Sequence, residues 1–312
     1  MYAVVDVGSN TVRLNIYKIE YGQPVPVLSR KESVGLASYV RNGQMLPAGI
    51  QRVTEVLSSF KVLLDGLKIS NVHVFATAAL RNAKNSRAAV GEIIKNSGMD
   101  VHVISGEMEA ELDFIGASHA LENMDSGILV DIGGGSTEIA VISLGGIVVN
   151  KSQRVAGDDL TADIQEYMSR QHNLKVSERM AERIKISVGA ALTDLGDEAP
   201  EDYVVHGPNR ITALPMEVPV CYQEIAHCLE KTIAKIEAAV LSALEATPPE
   251  LYADIVKNGI YLTGGGANLR GLDKRLTGKI NIPFHVAEDP LHSVAKGTGV
   301  ALKNIHKFSF LM

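Results

Sequence analysis

Two stretches of the chain place the same residue types in the same order, with their aspartates 125 positions apart. Val4-Val5-Asp6-Val7-Gly8-Ser9-Asn10-Thr11 and Leu129-Val130-Asp131-Ile132-Gly133-Gly134-Gly135-Ser136-Thr137 each run an apolar strand into an Asp and a small-residue turn. A second apolar strand follows each turn. A tight glycine turn lets backbone N–H groups converge on an anion, so each stretch is a candidate phosphate cradle. An Asp at the strand end can hold a phosphate-bound Mg²⁺, directly or through water. One such hairpin is weak evidence; two matched ones predict a duplicated fold that clamps a polyphosphate from both sides.

Cleaving a phosphoanhydride needs donors for the phosphates, a metal to neutralise charge, and a group that orients the attacking water. Gly8, Ser9, Asn10 and Thr11, with Arg13 beside them, and Gly133, Gly134, Gly135 and Ser136 supply the donors; Asp6 and Asp131 face the metal. For the water the candidate is Glu109, in Ile104-Ser105-Gly106-Glu107-Met108-Glu109-Ala110, where a strand turns into a helix. In a doubly wound sheet that turn opens on the crevice at the strands' carboxyl ends. Arg81, just after a buried strand, is the candidate phosphate or transition-state contact. Plainer readings stand beside these: Glu109 on the wet face of a helix, and Arg81 as a surface arginine. A third turn, Gly264-Gly265-Gly266, reads either as simple helix entry or as a flat surface against a nucleoside.

The elements that position these residues alternate. Apolar residues at helical spacing over 50–67 predict an amphipathic helix. The segments at 72–77 and 101–104 read as strands, with helices from Asn85 and Ser86 to Gly98 and over 107–121. Strands alternating with helices imply a mainly parallel α/β sheet covered on both faces. The second half repeats the scheme: strand 147–155, helices 158–171 and 177–192, short strands over 203–220, and a long helix 222–246. The third glycine turn should lead into a helix over 267–276, then strand 284–287 and a helix through 301. The expected lobes are 1–126 and 127–312, the latter with a small subdomain at about 193–222.

At 312 residues, 46% hydrophobic and 21% charged, the composition is that of an ordinary globular protein. A net charge of −6 argues against a broad nucleic-acid-binding face. No stretch reaches the roughly 18 apolar residues of a membrane span, and Met1 leads almost at once into a strand, leaving no room for a signal peptide. Cys221 and Cys228, placed on one helix, would stand about 10 Å apart, too far for a disulfide. The cytoplasm is the expected compartment. The nine histidines show no metal-ligand spacing, and His102 and His206 are expected to be structural.

Asp-x-Gly-x-x-Thr at Asp6 and Asp-x-Gly-x-x-Ser-Thr at Asp131, with a later Gly-Gly-Gly, resemble the actin/Hsp70/sugar-kinase superfamily. That resemblance implies an α/β fold of duplicated actin-like, ribonuclease H-like lobes around a nucleotide or phosphate cleft. The front, about 1–140, resembles the exopolyphosphatase/guanosine-pentaphosphate phosphatase (Ppx/GppA) family. It does so through Asp6 to Leu14, Ala76-Thr77-Ala78-Ala79-Leu80-Arg81-Asn82, the Ser105-Gly106-Glu107-Met108-Glu109-Ala110 motif and Asp131 to Glu138. In that family the glutamate matched by Glu109 is the proposed catalytic base, and Arg81 matches a family arginine. The rear, about 127–312, resembles MreB, the bacterial actin homologue. The matching segments are 139–146, Ala181-Glu182-Arg183-Ile184-Lys185, Thr247-Pro248-Pro249-Glu250-Leu251, Leu262 to Asp273, 287–291 and Gly297-Thr298-Gly299. By that resemblance Glu182 and Lys185 contact adenosine and Gly264, Gly265 and Gly266 flank it. MreB also carries a water-orienting Glu at a spacing that falls on Glu109.

The chain therefore reads as a hybrid on one superfamily scaffold. MreB's small front subdomain and hydrophobic membrane loop are missing from it, as is the rear of the phosphatases. Its Ala156-Gly157-Asp158 replaces the Gly-Gly-Asp usual in MreB. The leading expectation is a Mg²⁺-dependent hydrolase that binds ATP and cleaves its terminal phosphoanhydride. The alternatives are a hydrolase of polyphosphate or guanosine pentaphosphate, and a self-associating protomer of an MreB-like filament.

Overall fold

A computed structural model of the 312-residue chain describes residues 1–20, 23–106, 108, 109, 112, 126–143 and 146–292. Two compact units divide it: one runs from Met1 to Met124 and takes in Leu291, and the other spans Asp125–Pro290.

In the first unit, β1 (Tyr2–Val7), β2 (Thr11–Glu20) and β3 (Gln23–Ser33) form an antiparallel meander. A small β4 (Val40–Arg41) and β5 (Gln44–Met45) pair follows, then helix α1 (Pro47–Gly66). Strand β6 (Val72–Ala76), α2 (Ala78–Arg81), α3 (Ser86–Ser97) and β7 (Val101–Val103) complete the described part. The sheet order is β3-β2-β1-β6-β7, with β6 parallel to β1 and β7 parallel to β6.

The second unit repeats the pattern. Strands β8 (Gly127–Ile132), β9 (Thr137–Ser143) and β10 (Gly146–Gln153) form the meander. Helices α4 (Gly157–Gln171) and α5 (Glu178–Val188) follow, then the hairpin of β11 (Tyr203–Pro208) and β12 (Pro215–Val220). The long α6 (Tyr222–Glu245), α7 (Tyr252–Asn258), β13 (Ile260–Thr263), α8 (Leu272–Ile280) and β14 (Phe284–Val286) close it. The order β10-β9-β8-β13-β14 matches the first sheet position for position. The fold is duplicated.

Burial explains the strands. Every residue of β8, Gly-Ile-Leu-Val-Asp-Ile, is buried, as a strand covered on both faces requires. In the first unit Val53, Leu57, Phe60 and Ile93 pack one face of the sheet, while Tyr2, Val4, Tyr17, Phe75, Ile104 and Leu112 pack the other. In the second, Ile164, Met168, Ile225, Ile233 and Val240 bring α4 and α6 onto one core.

Several expectations need correction. Asn85 precedes α3 but does not cap it: its side chain accepts from Met45 N at 2.8 Å and donates to Met45 O at 3.0 Å, tying the helix start to β5. The third glycine turn does not enter a helix over 267–276. A 3₁₀ turn at Gly265–Asn268 comes first, and the helix begins only at Leu272, because Gly271 adopts a left-handed φ of 70°. His102 and His206 are exposed, each beside a carboxylate, Asp100 at 3.2 Å and Glu217 at 3.4 Å. Cys221 and Cys228 are both free thiols, as their spacing requires, although Cys221 precedes α6 rather than lying within it. Of the helix expected over 107–121, Met108, Glu109 and Leu112 are helical, as is Gly106 just before it, and the rest lies outside the described residues, as does the terminal helix through 301.

Candidate functional site

The two hairpins close in the same way. Gly8 N donates to Thr11 O at 3.0 Å, and Gly133 N donates to Ser136 O at 3.0 Å. A Cβ on Gly8 would stand 3.2 Å from Thr11 O and one on Gly133 would stand 3.3 Å from Ser136 O, so both turns make the same close approach. The turn carbonyls are tied outward. Ser9 O accepts from Ala37 N (2.9 Å), and Asn10 O accepts from Val34 N and Gly35 N (2.9 and 2.8 Å). In the second unit Gly133 O accepts from Gly157 N (3.0 Å) and Gly134 O accepts from Asp158 N (2.8 Å). The N–H and C=O of a peptide point opposite ways, so fixing the carbonyls on one side turns the N–H groups to the other, as an anion cradle needs.

Asp6 and Asp131 lie one residue before the last strand position of β1 and β8. Asp6 keeps some surface, yet its Oδ1 is sealed from solvent with no hydrogen-bond partner among the described residues. Burial lifts its carboxyl from the ordinary 3.8 to about 6, and the charge of Arg13, directly opposite on β2, pulls the other way. A buried oxygen without a donor fits a cation or a water in a cation's shell, so Asp6 meets the chemical requirement for a Mg²⁺ partner. Among the described residues no three His, Cys, Asp or Glu side chains gather to hold a metal alone, so water or ligand oxygens would complete its coordination. Arg13 is buried, and its Nη1 donates to Leu291 O at 2.7 Å.

The third turn comes against Asp131. Gly264 has φ 78° and ψ 172°, and a Cβ there would lie 2.1 Å from Asp131 Oδ1 and 2.4 Å from Ile132 O. A Cβ on Gly266 would lie 2.3 Å from Ile132 Cγ2. The glycines let β13 turn across the end of β8, a reason separate from any flat ring.

Glu109 and Arg81 meet. Thr77 N donates to Val7 O at 3.2 Å, which brings the end of β6 beside the first turn, and α2 then carries Arg81. Ser105 caps the next helix, accepting Met108 N at its Oγ (3.1 Å) and Glu109 N at its carbonyl (3.0 Å). Arg81 Nη1 donates to Glu109 Oε2 at 2.6 Å and to Ile104 O at 3.4 Å, with both side chains largely buried. The two expected catalytic residues thus form one charge-assisted pair, with the arginine fixing the carboxylate's orientation.

In the second unit, Glu182 and Lys185 stand one helical turn apart on α5 and pair at 2.7 Å. Lys185 Nζ also donates to Gly157 O (2.8 Å) and Thr161 Oγ1 (2.9 Å), and Thr161 Oγ1 donates to Glu182 Oε2 (2.7 Å). Gly157 is therefore the joint between the Gly133–Gly134 turn and the Lys185–Glu182 pair, and a Cβ on it would stand 3.1 Å from Gly133 O and 3.4 Å from Lys185 Nζ. Burial raises the Asp158 carboxyl to about 6 despite Lys185 nearby. Gly157, Asp158 and Thr161 were not among the expected site residues. The signal was the i, i+4 spacing of Gly157 and Thr161 on one helix face.

The family model described as MreB/Mbl protein matches residues 50–309. The chain belongs to the MreB/Mbl family. Mbl of Bacillus cereus is 41% identical over 201 residues, 64% of this chain and 60% of that protein. MreB of Escherichia coli is 41% identical over 220 residues, 70% and 62% of the two chains. The chain thus spans about three fifths of the length of the curated relatives it matches. Among solved structures, MreB5 of Spiroplasma citri bound to ADP superposes with a TM-score of 0.76 at 25% identity, covering 98% of this chain and 97% of its own. The actin-like α/β fold is established by these likenesses.

The Ppx/GppA phosphatase of Aquifex aeolicus, at TM-score 0.53 and 19% identity over 99% and 92% of the chains, shares the fold alone. The family match begins at residue 50 and so takes in much of the front that the motifs had assigned to the phosphatases. Among the described residues no helix is long and apolar enough to cross a membrane.

Proposed function

We propose that this chain is an actin-like ATPase that binds ATP with Mg²⁺, cleaves its terminal phosphoanhydride and self-associates as an MreB-like filament protomer. The observation that carries the reading is the junction at Gly157, where a glycine turn built for phosphate is joined through backbone and Lys185 to Glu182. Such a junction suits a ligand with an anionic tail and a polar nucleoside. The family's curated relatives are named cell shape-determining proteins, and its Spiroplasma citri structures hold ADP and AMPPNP, which favours ATP over inorganic polyphosphate.

In this reading Gly8 to Thr11 and Gly133 to Ser136 bind phosphate oxygens through their N–H groups. Asp6 and Asp131 face the Mg²⁺, which neutralises phosphate charge when bound. Glu109 orients the attacking water, and Arg81 fixes Glu109. Glu182 and Lys185 hold the nucleoside side, and Gly264 to Gly266 keep the backbone low beside it.

The test is phosphate release with Mg²⁺ from ATP, GTP, guanosine pentaphosphate and polyphosphate, run beside ATP-dependent sedimentation. ATP turnover lost in Glu109→Gln, with sedimentation that requires ATP, is the expected result. Preference for polyphosphate would replace ATP as substrate, and sedimentation indifferent to ATP would remove the filament.

A further inference from the structure

In both units the segment that follows the third strand grips the glycine turn. In the second unit β10 leads to the start of α4, where Gly157 N and Asp158 N donate to Gly133 O and Gly134 O. That same stretch reaches the Lys185–Glu182 pair through Gly157 O. In the first unit β3 leads to residues 34–37, where Val34 N and Gly35 N donate to Asn10 O and Ala37 N donates to Ser9 O. The place in the fold is equivalent, but a 3₁₀ turn at Leu36–Tyr39 and the β4–β5 hairpin stand where the second unit starts a helix.

What the first unit's segment reaches is the connection behind Arg81. Lys84 N donates to Gly43 O at 2.7 Å, and the Asn85 carboxamide takes both sides of Met45, accepting from its N (2.8 Å) and donating to its O (3.0 Å). The segment has no room to slide. Leu36 and Met45 are buried, Leu46 N donates to Tyr39 O, and a Cβ on Gly49 of α1 would stand 2.6 Å from Tyr39 Cβ and 2.8 Å from Met45 Sδ. The connection is equally taut. Arg81 N, Asn82 N, Ala83 N and Ser86 N donate to the carbonyls of Thr77, Ala78, Leu80 and Ala83 at 2.9–3.3 Å, and Leu80 and Ala83 are buried. A chain bonded at both ends and packed along its length passes displacement on rather than absorbing it.

We propose that the 34–46 segment is a brace that keeps the Arg81–Glu109 pair in register with the first glycine turn, and that Asn85 is its positioning residue. Asn85 acts through the connection on Arg81, and Arg81 through its bond to Glu109 Oε2. Each unit then extends the grip on its turn to its own charged pair, Lys185–Glu182 in the second and Arg81–Glu109 in the first. This rests on the reading of Glu109 as the residue that orients the attacking water.

The test separates rate from binding. The full chain is assayed for phosphate release from ATP with Mg²⁺, well below its unfolding temperature, with ADP affinity read by calorimetry in parallel. Asn85→Ala is expected to lower kcat about 10-fold and leave ADP affinity within about twofold, because a slightly misplaced Glu109 costs rate and not ground-state binding. Ile93→Val, a buried truncation in the same helix α3, removes stability without touching the brace and should keep the parent's kcat. In a Glu109→Gln background Asn85→Ala should change the residual rate by less than about twofold, because no carboxylate is left to misplace. Asn85→Ala turning over like Ile93→Val, or costing the same factor with and without Glu109, overturns the brace and leaves the Glu109 reading intact. If the parent releases no phosphate from ATP, or Glu109→Gln is unimpaired, both fall together. Should Asn85→Ala fail to fold, Asn85→Asp, which keeps the acceptor for Met45 N and loses the donor to Met45 O, decides alone: parental kcat overturns the proposal.

Discussion

Replacing Asp6 by Asn should make the chain more stable at neutral pH than at acid pH, relative to its parent. Burial holds the Asp6 carboxyl at about 6 in the folded chain against 3.8 for the ordinary group. The folded state therefore keeps a proton that the unfolded state releases between those values. Stability falls as pH rises through that window and is flat above it. The shift of about 2 units corresponds to at most about 3 kcal/mol, an upper figure because part of Asp6 remains exposed. Roughly 2 kcal/mol of it develops between about pH 4.5 and about pH 7.5. Asn carries no titrating group, and every other group titrates alike in both chains, so the difference between the two isolates Asp6. The extra N–H groups of Asn add a constant offset that does not depend on pH. Urea unfolding of both chains at the two pH values reads the effect as a relative midpoint shift on the order of 1 M. A stability difference that is the same at both pH values would refute the argument, because it would mean that Asp6 titrates alike folded and unfolded.

Three further outcomes follow from the site. Gly264→Ala should cost about 3–5 kcal/mol by thermal or urea unfolding, from backbone strain plus the collision with Asp131 and Ile132. Gly196→Ala, also at positive φ but facing open space, should cost only about 1–2 kcal/mol; equal losses would mean the close approach is not felt. Glu109→Gln should lower phosphate release from ATP by about 10²-fold or more while ADP binding, followed by calorimetry, holds steady. Lys185→Met removes the cation shared by Gly157, Thr161 and Glu182 and should weaken ADP about 10-fold; unchanged affinity would detach that pair from the nucleotide.

Much of this was legible in the residues. The order strand–Asp–glycine turn–strand, written twice, predicted two hairpins, and their closing hydrogen bonds are the same in both. The helical spacing of Val53, Leu57, Phe60 and Leu64 predicted α1, because one buried face sets that period. What was hidden depends on contacts between distant residues. That Asn85 would serve Met45 rather than its own helix is decided by a strand 40 positions earlier. That Arg13 would turn to Leu291 is decided by a carbonyl 278 positions away. The glycines of 264–266 suggested room for a ring, but the atoms that exclude a Cβ belong to Asp131 and Ile132, which local sequence cannot reveal. In the sequence Gly157 stood only within the Ala156-Gly157-Asp158 variant of a Gly-Gly-Asp turn; the Gly133 carbonyl and the Lys185 ammonium that meet it come from distant positions.

The donors at the start of α4 are already committed: Ala156 N goes to Asp159 Oδ2, Gly157 N to Gly133 O and Asp158 N to Gly134 O. A helix start is usually where an anion finds vacant N–H groups. Here two of those groups, Gly157 N and Asp158 N, grip the neighbouring turn instead, so its shape is set when the chain folds and does not wait for a ligand. The ordering entropy of the loop is charged to folding, which leaves less to lose on association. On the proposed reading, nucleotide then comes and goes without melting the turn.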